Sequence, residues 1–472
     1  MDRNQHDAFT EAITYLYSFI DLERKRQDRY MASKMDVTRP GRLLTALGSP
    51  HTVFPSIHIA GTKGKGSVAA MSAFCLREAG LKVGLYTSPH LVDFRERIRI
   101  LTPDDADGRI PEDDFIDKIE QIKTVLPQFP GITWFEILTA IAFLYFAAEN
   151  IDIAVVEVGL GGRLDATNVL TPLISVITSL SLDHTTLLGN TLAQIAGEKG
   201  GIIKQGIPVV IAPQPEEAML TLQEIAEERS APIHVVGQEW QFDGNQQDAQ
   251  SGRQRLWLTQ TPPGALITSP AAIPLNLFGD HQLENATVTI AALNAVRTTF
   301  PTVTETAVRA GLTSVQWPGR LQIIHAGDKQ TPTVLVDCAH NPDSAAKLRH
   351  ALLHGYTYDK LCFILGAPAD KDVAGVMQQL LPLADNIIVT TASHPRSIPP
   401  EELAQISADL GFTARPAATM SEAMQYAWQQ TKSGDLICVS GSIIVVGDLL
   451  NQWDSLKSVL TSASAVVQND HS

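Results

Sequence analysis

No apolar stretch in this chain is long enough to cross a bilayer: the longest, Ile137–Ala148, falls well short of the roughly 18 residues that a spanning helix needs. The segment Met1 to Tyr30 mixes Asp, Glu, Lys and Arg and offers no apolar block ahead of a small-residue cleavage site, which argues against secretion. Cysteine is scarce. Cys75, Cys338, Cys362 and Cys438 lie far apart with no C-x-x-C pair, which argues against structural zinc and reads as buried free thiols of a cytoplasmic protein. Positive charge is also short: 36 Lys and Arg against 51 Asp and Glu leave a net charge of −15. Such a chain has no overall attraction for nucleic acid, and an anionic substrate needs local positive sites.

What the sequence does have is ordinary globular composition, 44% hydrophobic and 18% charged over 472 residues, enough for two domains. Short β-branched runs alternate with helical stretches. Strands are expected at Ser56–Ala60, Val83–Thr87, Ile153–Val158, Ile174–Thr178 and Pro208–Ile211, then at Thr333–Asp337, Leu361–Leu365, Asn386–Thr390 and Leu436–Val439. Helices are expected at Val68–Ala79, Trp134–Ala148, Leu283–Arg297 and Ser344–Leu353. The alternation predicts parallel sheets and an α/β fold. The Gln-rich stretch Gln238 to Gln254 reads as loops or a small antiparallel excursion, and the tail from Ser462 as frayed. A Pro-Gly break at Trp317-Pro318-Gly319-Arg320 marks the expected domain boundary, giving domains 1–316 and 317–472.

The strongest local pattern is Ile57-His58-Ile59-Ala60-Gly61-Thr62-Lys63-Gly64-Lys65-Gly66-Ser67 ahead of an apolar helix. A strand, a glycine-rich turn and a helix amino terminus together make an anion cradle, with backbone N–H groups and the helix dipole aimed at phosphate. Gly64, Lys65, Gly66 and Ser67 are the candidate nucleotide contacts, although Gly66 stands where the common phosphate loop has Ser or Thr directly after its Lys.

Further motifs follow in order: Thr87-Ser88-Pro89-His90-Leu91, Thr133-Trp134-Phe135-Glu136, Glu157 to Asn168, Leu182-Asp183-His184-Thr185, Gly197-Glu198-Lys199, His281-Gln282 with Asn285, Pro318-Gly319-Arg320, and Asp337-Cys338-Ala339-His340-Asn341-Pro342. Over residues 40–450 the chain resembles the folylpolyglutamate synthase and dihydrofolate synthase family, a branch of the Mur ligases. The resemblance implies a P-loop-type parallel-sheet ATPase domain followed by a smaller Rossmann-like α/β domain. It also implies an ATP- and Mg2+-dependent ligase that activates a carboxylate as an acyl phosphate for attack by L-glutamate. The acceptor would be a folate, dihydropteroate or both, and the enzyme a monomer.

By the same resemblance Ser88, Glu157 and His184 hold magnesium, with two ions expected. Lys199 is carbamylated, an exchange of charge that lets it approach the second ion; a desolvated lysine has the larger neutral fraction that captures carbon dioxide. Asn285 is assigned to adenine, Arg320 to phosphate and Asp337 to the ribose region. Thr133, Trp134, Phe135, Glu136, Leu164, Asp165 and Ala166 are assigned to the pterin side, and His340 and Ser442 to the incoming glutamate. The family's amino-terminal substrate motif is poorly kept, with Met35-Asp36-Val37-Thr38-Arg39 standing near its place. Two other readings are a cell-wall Mur ligase, which would carry a further UDP-holding domain, and a nucleotide-binding protein without ligase activity.

Overall fold

A computed structural model describes residues 3–20, 36–248, 253–392, 394 and 396–469. Met35 and part of the Gln-rich stretch lie outside the described residues. The fold is α/β, built on two large twisted sheets and a small one.

The first sheet has seven strands: β1 (Ser56–Ala60), β2 (Val83–Tyr86), β3 (Ile98–Leu101), β4 (Ile153–Glu157), β5 (Ile174–Ile177), β6 (Val209–Ile211) and β7 (Ile233–Val235), in the order β3-β2-β4-β1-β5-β6-β7. All neighbours are parallel except β2 and β3. Alternation along β1 sends Ile57 and Ile59 to one face, where they meet the buried helix Lys65–Glu78 and the helix Asp280–Val296. The other face is covered by the helices Glu112–Lys123 and Trp134–Ala148. The latter is apolar almost all round, which suits a helix sandwiched between layers. It starts at a capping box in which Thr133 and Glu136 exchange hydrogen bonds.

The Gln-rich stretch proves to be an antiparallel excursion: β8 (Gln241–Asp248), β9 (Arg253–Gln260) and β10 (Ala271–Leu275) form the small sheet. The chain next enters a six-stranded sheet of β11 (Gln322–His325), β12 (Thr333–Val336), β13 (Leu361–Leu365), β14 (Asn386–Thr390), β15 (Arg415–Ala417) and β16 (Leu436–Ser440), ordered β11-β12-β16-β13-β14-β15. Only β11 runs antiparallel. Helices cover both faces, as sheets joined by βαβ crossovers require. The expected fraying from Ser462 is corrected: the last helix runs from Ile443 to Asn469 without a break. No described helix is long and apolar enough to cross a membrane.

Candidate active site

The carboxyl ends of β1, β2 and β4 face those of β12, β13 and β16 across a cleft of about 750 Å3. Crevices outside the carboxyl ends of parallel strands are where α/β folds bind ligands.

On the first lobe, β1 runs into the loop Gly61–Gly64, and the Thr62 and Lys63 N–H groups both donate to the Ser179 carbonyl, at 3.0 and 3.1 Å. That tether turns the loop so that the helix Lys65–Glu78 opens at Gly64 with no side-chain cap. The amino-terminal N–H groups of a helix have no carbonyl partner within it, and here they face the cleft. Gly64 has φ +88° and a Cβ there would stand 2.2 Å from Asn285 Oδ1, so only glycine fits. A Cβ on Gly66 would stand 2.9 Å from the Trp317 ring. The glycine that departs from the common phosphate loop is thus the one that packs against the connection between the two lobes.

Glu157 closes β4 and is buried. One of its oxygens accepts the Ser88 N–H at 3.2 Å, and the other stands 3.9 Å from Lys65 Nζ. Burial pushes its carboxyl up, while Lys65, the Ser88 N–H, Arg320 and Arg97 oppose the shift. His184 takes a left-handed backbone, φ +49°, and burial, opposed by the neighbouring Asp183, lowers its pKa to about 4, so its imidazole is neutral at pH 7. Lys199 is 5% exposed and lies beneath the cleft surface, in the last turn of the helix Leu192–Gly200. Burial, aided by Lys65 and Lys63 and opposed by Asp183 and Asp165, brings its ammonium down to about 7.

On the second lobe, His340 Nδ1 lies 2.9 Å from the Cys338 carbonyl. A carbonyl only accepts, so Nδ1 carries the proton and Nε2 is left as an acceptor. Burial lowers this imidazole to about 4, with Lys63 adding to the shift. Asp337 accepts the Leu321 and Ala339 N–H groups, each at 2.9 Å, one on each oxygen, which fixes the turn beside Arg320. Ser442 Oγ accepts the Val445 N–H at 3.2 Å and so caps the last helix.

Apart from Lys199, every residue singled out in the sequence lines this cleft. Asn285 sits against Gly64 and donates to Gln282 Oε1 at 3.0 Å. Trp134 is 1% exposed and packs with Tyr17, Phe94 and the Arg97 guanidinium, whereas Phe135 is only partly buried and rests on Gly159. Leu164 and Ala166 flank Asp165, whose carboxylate holds the Leu160 and Thr167 N–H groups.

The comparisons agree with this arrangement of parts. Residues 319–443 match the family described as Mur ligase, glutamate ligase domain, and residues 118–293 match the Mur ligase middle domain. The chain is 36% identical over 410 residues to the dihydrofolate synthase/folylpolyglutamate synthase of Mycobacterium tuberculosis, covering 82% of this chain and 81% of that one. It is 31% identical over 427 residues to the protein of the same name from Bacillus subtilis, covering 88% and 94%. The chain belongs to the folylpolyglutamate synthase and dihydrofolate synthase family of Mur ligases. The crystal structure of a folylpolyglutamate synthase from Thermotoga maritima matches this fold with a TM-score of 0.79 at 32% identity, covering 95% of this chain and 97% of that one. Structures of the Mycobacterium tuberculosis folylpolyglutamate synthase complexed with ADP and AMPPCP give a TM-score of 0.79 at 32% identity, covering 94% and 98%.

In this family member two further groupings stand at the cleft that the sequence did not single out. Lys63 Nζ lies 3.2 Å from Asp183, which Lys371 of the second lobe approaches to 4.0 Å. Burial alone would raise the Asp183 carboxyl, but Lys63, His184 and Lys371 hold it well below the usual carboxylate range. Arg39 grips Glu136 with two bonds of 2.8 Å, the fork geometry that suits a carboxylate. The signals were present: Asp183 lies inside a quoted motif, and Asp370-Lys371-Asp372 is a charged run soon after β13.

Proposed function

We propose that this protein is an ATP-dependent carboxylate–amine ligase that joins L-glutamate to a folate, to dihydropteroate, or to both. One observation carries the reading: a single cleft brings the uncapped helix at Gly64–Ser67, Lys65 and Glu157 from one lobe to Arg320 and His340 from the other. A carboxylate is a poor electrophile, so its activation as an acyl phosphate demands that concentrated negative charge be neutralised before an amine can attack. Lys65, the first-turn N–H groups and the paired donors of Arg320 do that for a triphosphate. The relatives' names and the nucleotides named with a structural neighbour point the same way. A lobe of residues 1–316 would hold nucleotide and acceptor, and a lobe of 317–472 the glutamate, in a monomeric cytoplasmic enzyme.

Magnesium fits the donors. The buried Glu157 carboxylate, with Ser88 beside it at the cleft, offers oxygen donors to an ion that takes few protein ligands and keeps water and phosphate for the rest. Glu157, Ser88 and His184 would hold it, and when bound it neutralises phosphate charge. Lys199 supplies a second function as a carbamate: its neutral Nζ attacks the carbon of carbon dioxide and loses a proton, turning a cation into an anion beneath the cleft. Its buried setting and its pKa of about 7 support that chemistry. The acceptor's ring would lie along Phe135 and the 159–166 segment, and glutamate near His340 and Ser442.

Glutamate-dependent phosphate release, assayed separately with dihydropteroate and tetrahydrofolate, tests the reading. Turnover with one or both is the expected result and names the acceptor. ATP hydrolysis that ignores glutamate and both acceptors would overturn it.

A further inference from the structure

His58 stands in the middle of β1, out of phase with Ile57 and Ile59, and is fully buried on the face away from the helix Lys65–Glu78. Its Nε2 lies 2.8 Å from Thr167 Oγ1, and that hydroxyl lies 2.6 Å from Asp165 Oδ1. Asp165 also accepts the Thr167 N–H at 3.0 Å on the same oxygen and the Leu160 N–H at 2.9 Å on the other. Burial pushes this carboxyl up, but the donors facing both oxygens oppose the shift, and the ionised group takes the single hydroxyl proton of Thr167. Thr167 Oγ1 must then accept from His58, which fixes the Nε2–H tautomer. The opposite nitrogen, Nδ1, has no partner among the described residues.

An apolar side chain would fill this slot without leaving a bare buried nitrogen, which is costly. What the imidazole adds is a donor. The donor's effect ends at the cleft, because Gly159, Leu160, Leu164, Asp165 and Ala166 form its wall. The same segment is stitched to the helix that bears Lys199: the Arg163 N–H donates to the Glu198 carbonyl at 2.7 Å.

We infer that His58 and Thr167 are positioning residues for the acceptor substrate, a relay running from the floor of the sheet through Asp165 to the 159–166 wall. The inference rests on the reading that this wall faces the folate or dihydropteroate. Neither residue touches substrate; both act through Asp165. The anion cradle opens from the helix Lys65–Glu78, which packs on the Ile57 and Ile59 face of β1, opposite His58, so nucleotide contacts there are expected not to depend on the relay.

The test compares Thr167→Val, which deletes the hydroxyl, with Thr167→Ser, which keeps it, and with His58→Phe, which keeps the ring's bulk but not its donor. Loss of the hydroxyl's bond to the carboxylate in Thr167→Val, or of the His58 bond that orients that hydroxyl in His58→Phe, is expected to raise KM for the acceptor about tenfold, with KM for ATP within about twofold of wild type and Thr167→Ser near wild type throughout. Amide hydrogen exchange provides a readout that needs no turnover: residues 159–167 exchange faster in the two deleting variants, while the phosphate loop does not. Unchanged exchange at 159–167, equal rises in both KM values, or a Thr167→Ser variant as impaired as Thr167→Val would each overturn the relay. Should one deleting variant not fold, the other carries the same comparison. Wild-type protein inactive toward both acceptors would count against the ligase reading alone, with the exchange experiment still deciding the relay.

Discussion

The buried lysine makes the sharpest prediction, because its burial must appear as a dependence of stability on pH. Lys199 has a pKa of about 7 in the folded protein against 10.5 for an ordinary lysine. The difference, about 3.5 units at about 1.36 kcal/mol each, sets an upper bound of about 5 kcal/mol on what its charge costs the native state. The sign follows from proton counting. Between pH 7 and 10.5 the unfolded chain holds a proton that the folded chain has lost, so stability rises with pH across that window, by at most about 1.4 kcal/mol per unit. Below pH 7 both states are protonated and the native state bears the full cost.

Lys199→Met removes the titration and retains a long apolar stem. Urea unfolding of wild type and variant in carbon-dioxide-free buffer at pH 6, 8 and 9.5 should show the variant gaining most at pH 6, with the gap narrowing as pH rises. Parallel profiles would refute the claim that this amine is desolvated. The same pKa makes about nine-tenths of the group neutral at pH 8, so 13C-bicarbonate should give a carbamate carbonyl signal in the wild type and none in Lys199→Met, which should also lose ligase activity.

Three other outcomes follow from the geometry. Lys65→Ala should abolish ATP turnover while the chain still folds, since this partly exposed side chain stands at the first position of its helix and only approaches Glu157, at 3.9 Å; unchanged turnover would remove the cradle. Gly64→Ala places a Cβ against Asn285 and forces φ +88° on an L side chain; a backbone cost of about 1–2 kcal/mol should lower the melting temperature and raise KM for ATP, and an unaffected enzyme would contradict the packing. Arg39→Met leaves the buried Glu136 carboxylate without its fork, and urea denaturation should register a loss of about 3 kcal/mol; a loss below about 0.5 kcal/mol would mean that the pair is solvated.

Much of the architecture was legible because buried parallel strands are read as short β-branched runs, and those at Leu361–Leu365 and Asn386–Thr390 end where the sequence suggested. The strand Ile98–Leu101 was not legible. Arg97 and Arg99 look like surface residues in a charged stretch, yet Arg97 rests on Trp134 and Arg99 is satisfied by the Ala106 and Asp107 carbonyls. Burial of a guanidinium depends on partners that a periodicity pattern does not contain. The strands Ile233–Val235 and Arg415–Ala417, three residues each, are too short to generate a period.

At the site, residue type was legible and residue employment was not. Thr133, Asp165, Asn341 and Ser442 are the side chains that cap helices, and they are also the side chains that recognise polar substrates; both tasks need a short oxygen-bearing group beside free N–H donors. The structure separates the tasks by counting bonds. Ser442 accepts one backbone N–H and Asp165 three hydrogen bonds from its own loop, so each already works as scaffold before any ligand arrives. The cross-lobe contact of Asp183 with Lys371 was illegible for another reason. Each residue sits in a loop after a different sheet, and nothing local couples them. Only the facing of two sets of strand ends does so, and that same facing turns two separate α/β layers into one site: the first lobe brings an anion cradle and a desolvated carboxylate, the second brings Arg320, Lys371 and the His340 imidazole. A cleft assembled this way requires both lobes to hold their relative position, so weakening Asp183–Lys371 should act on the alignment of the two halves more than on the stability of either.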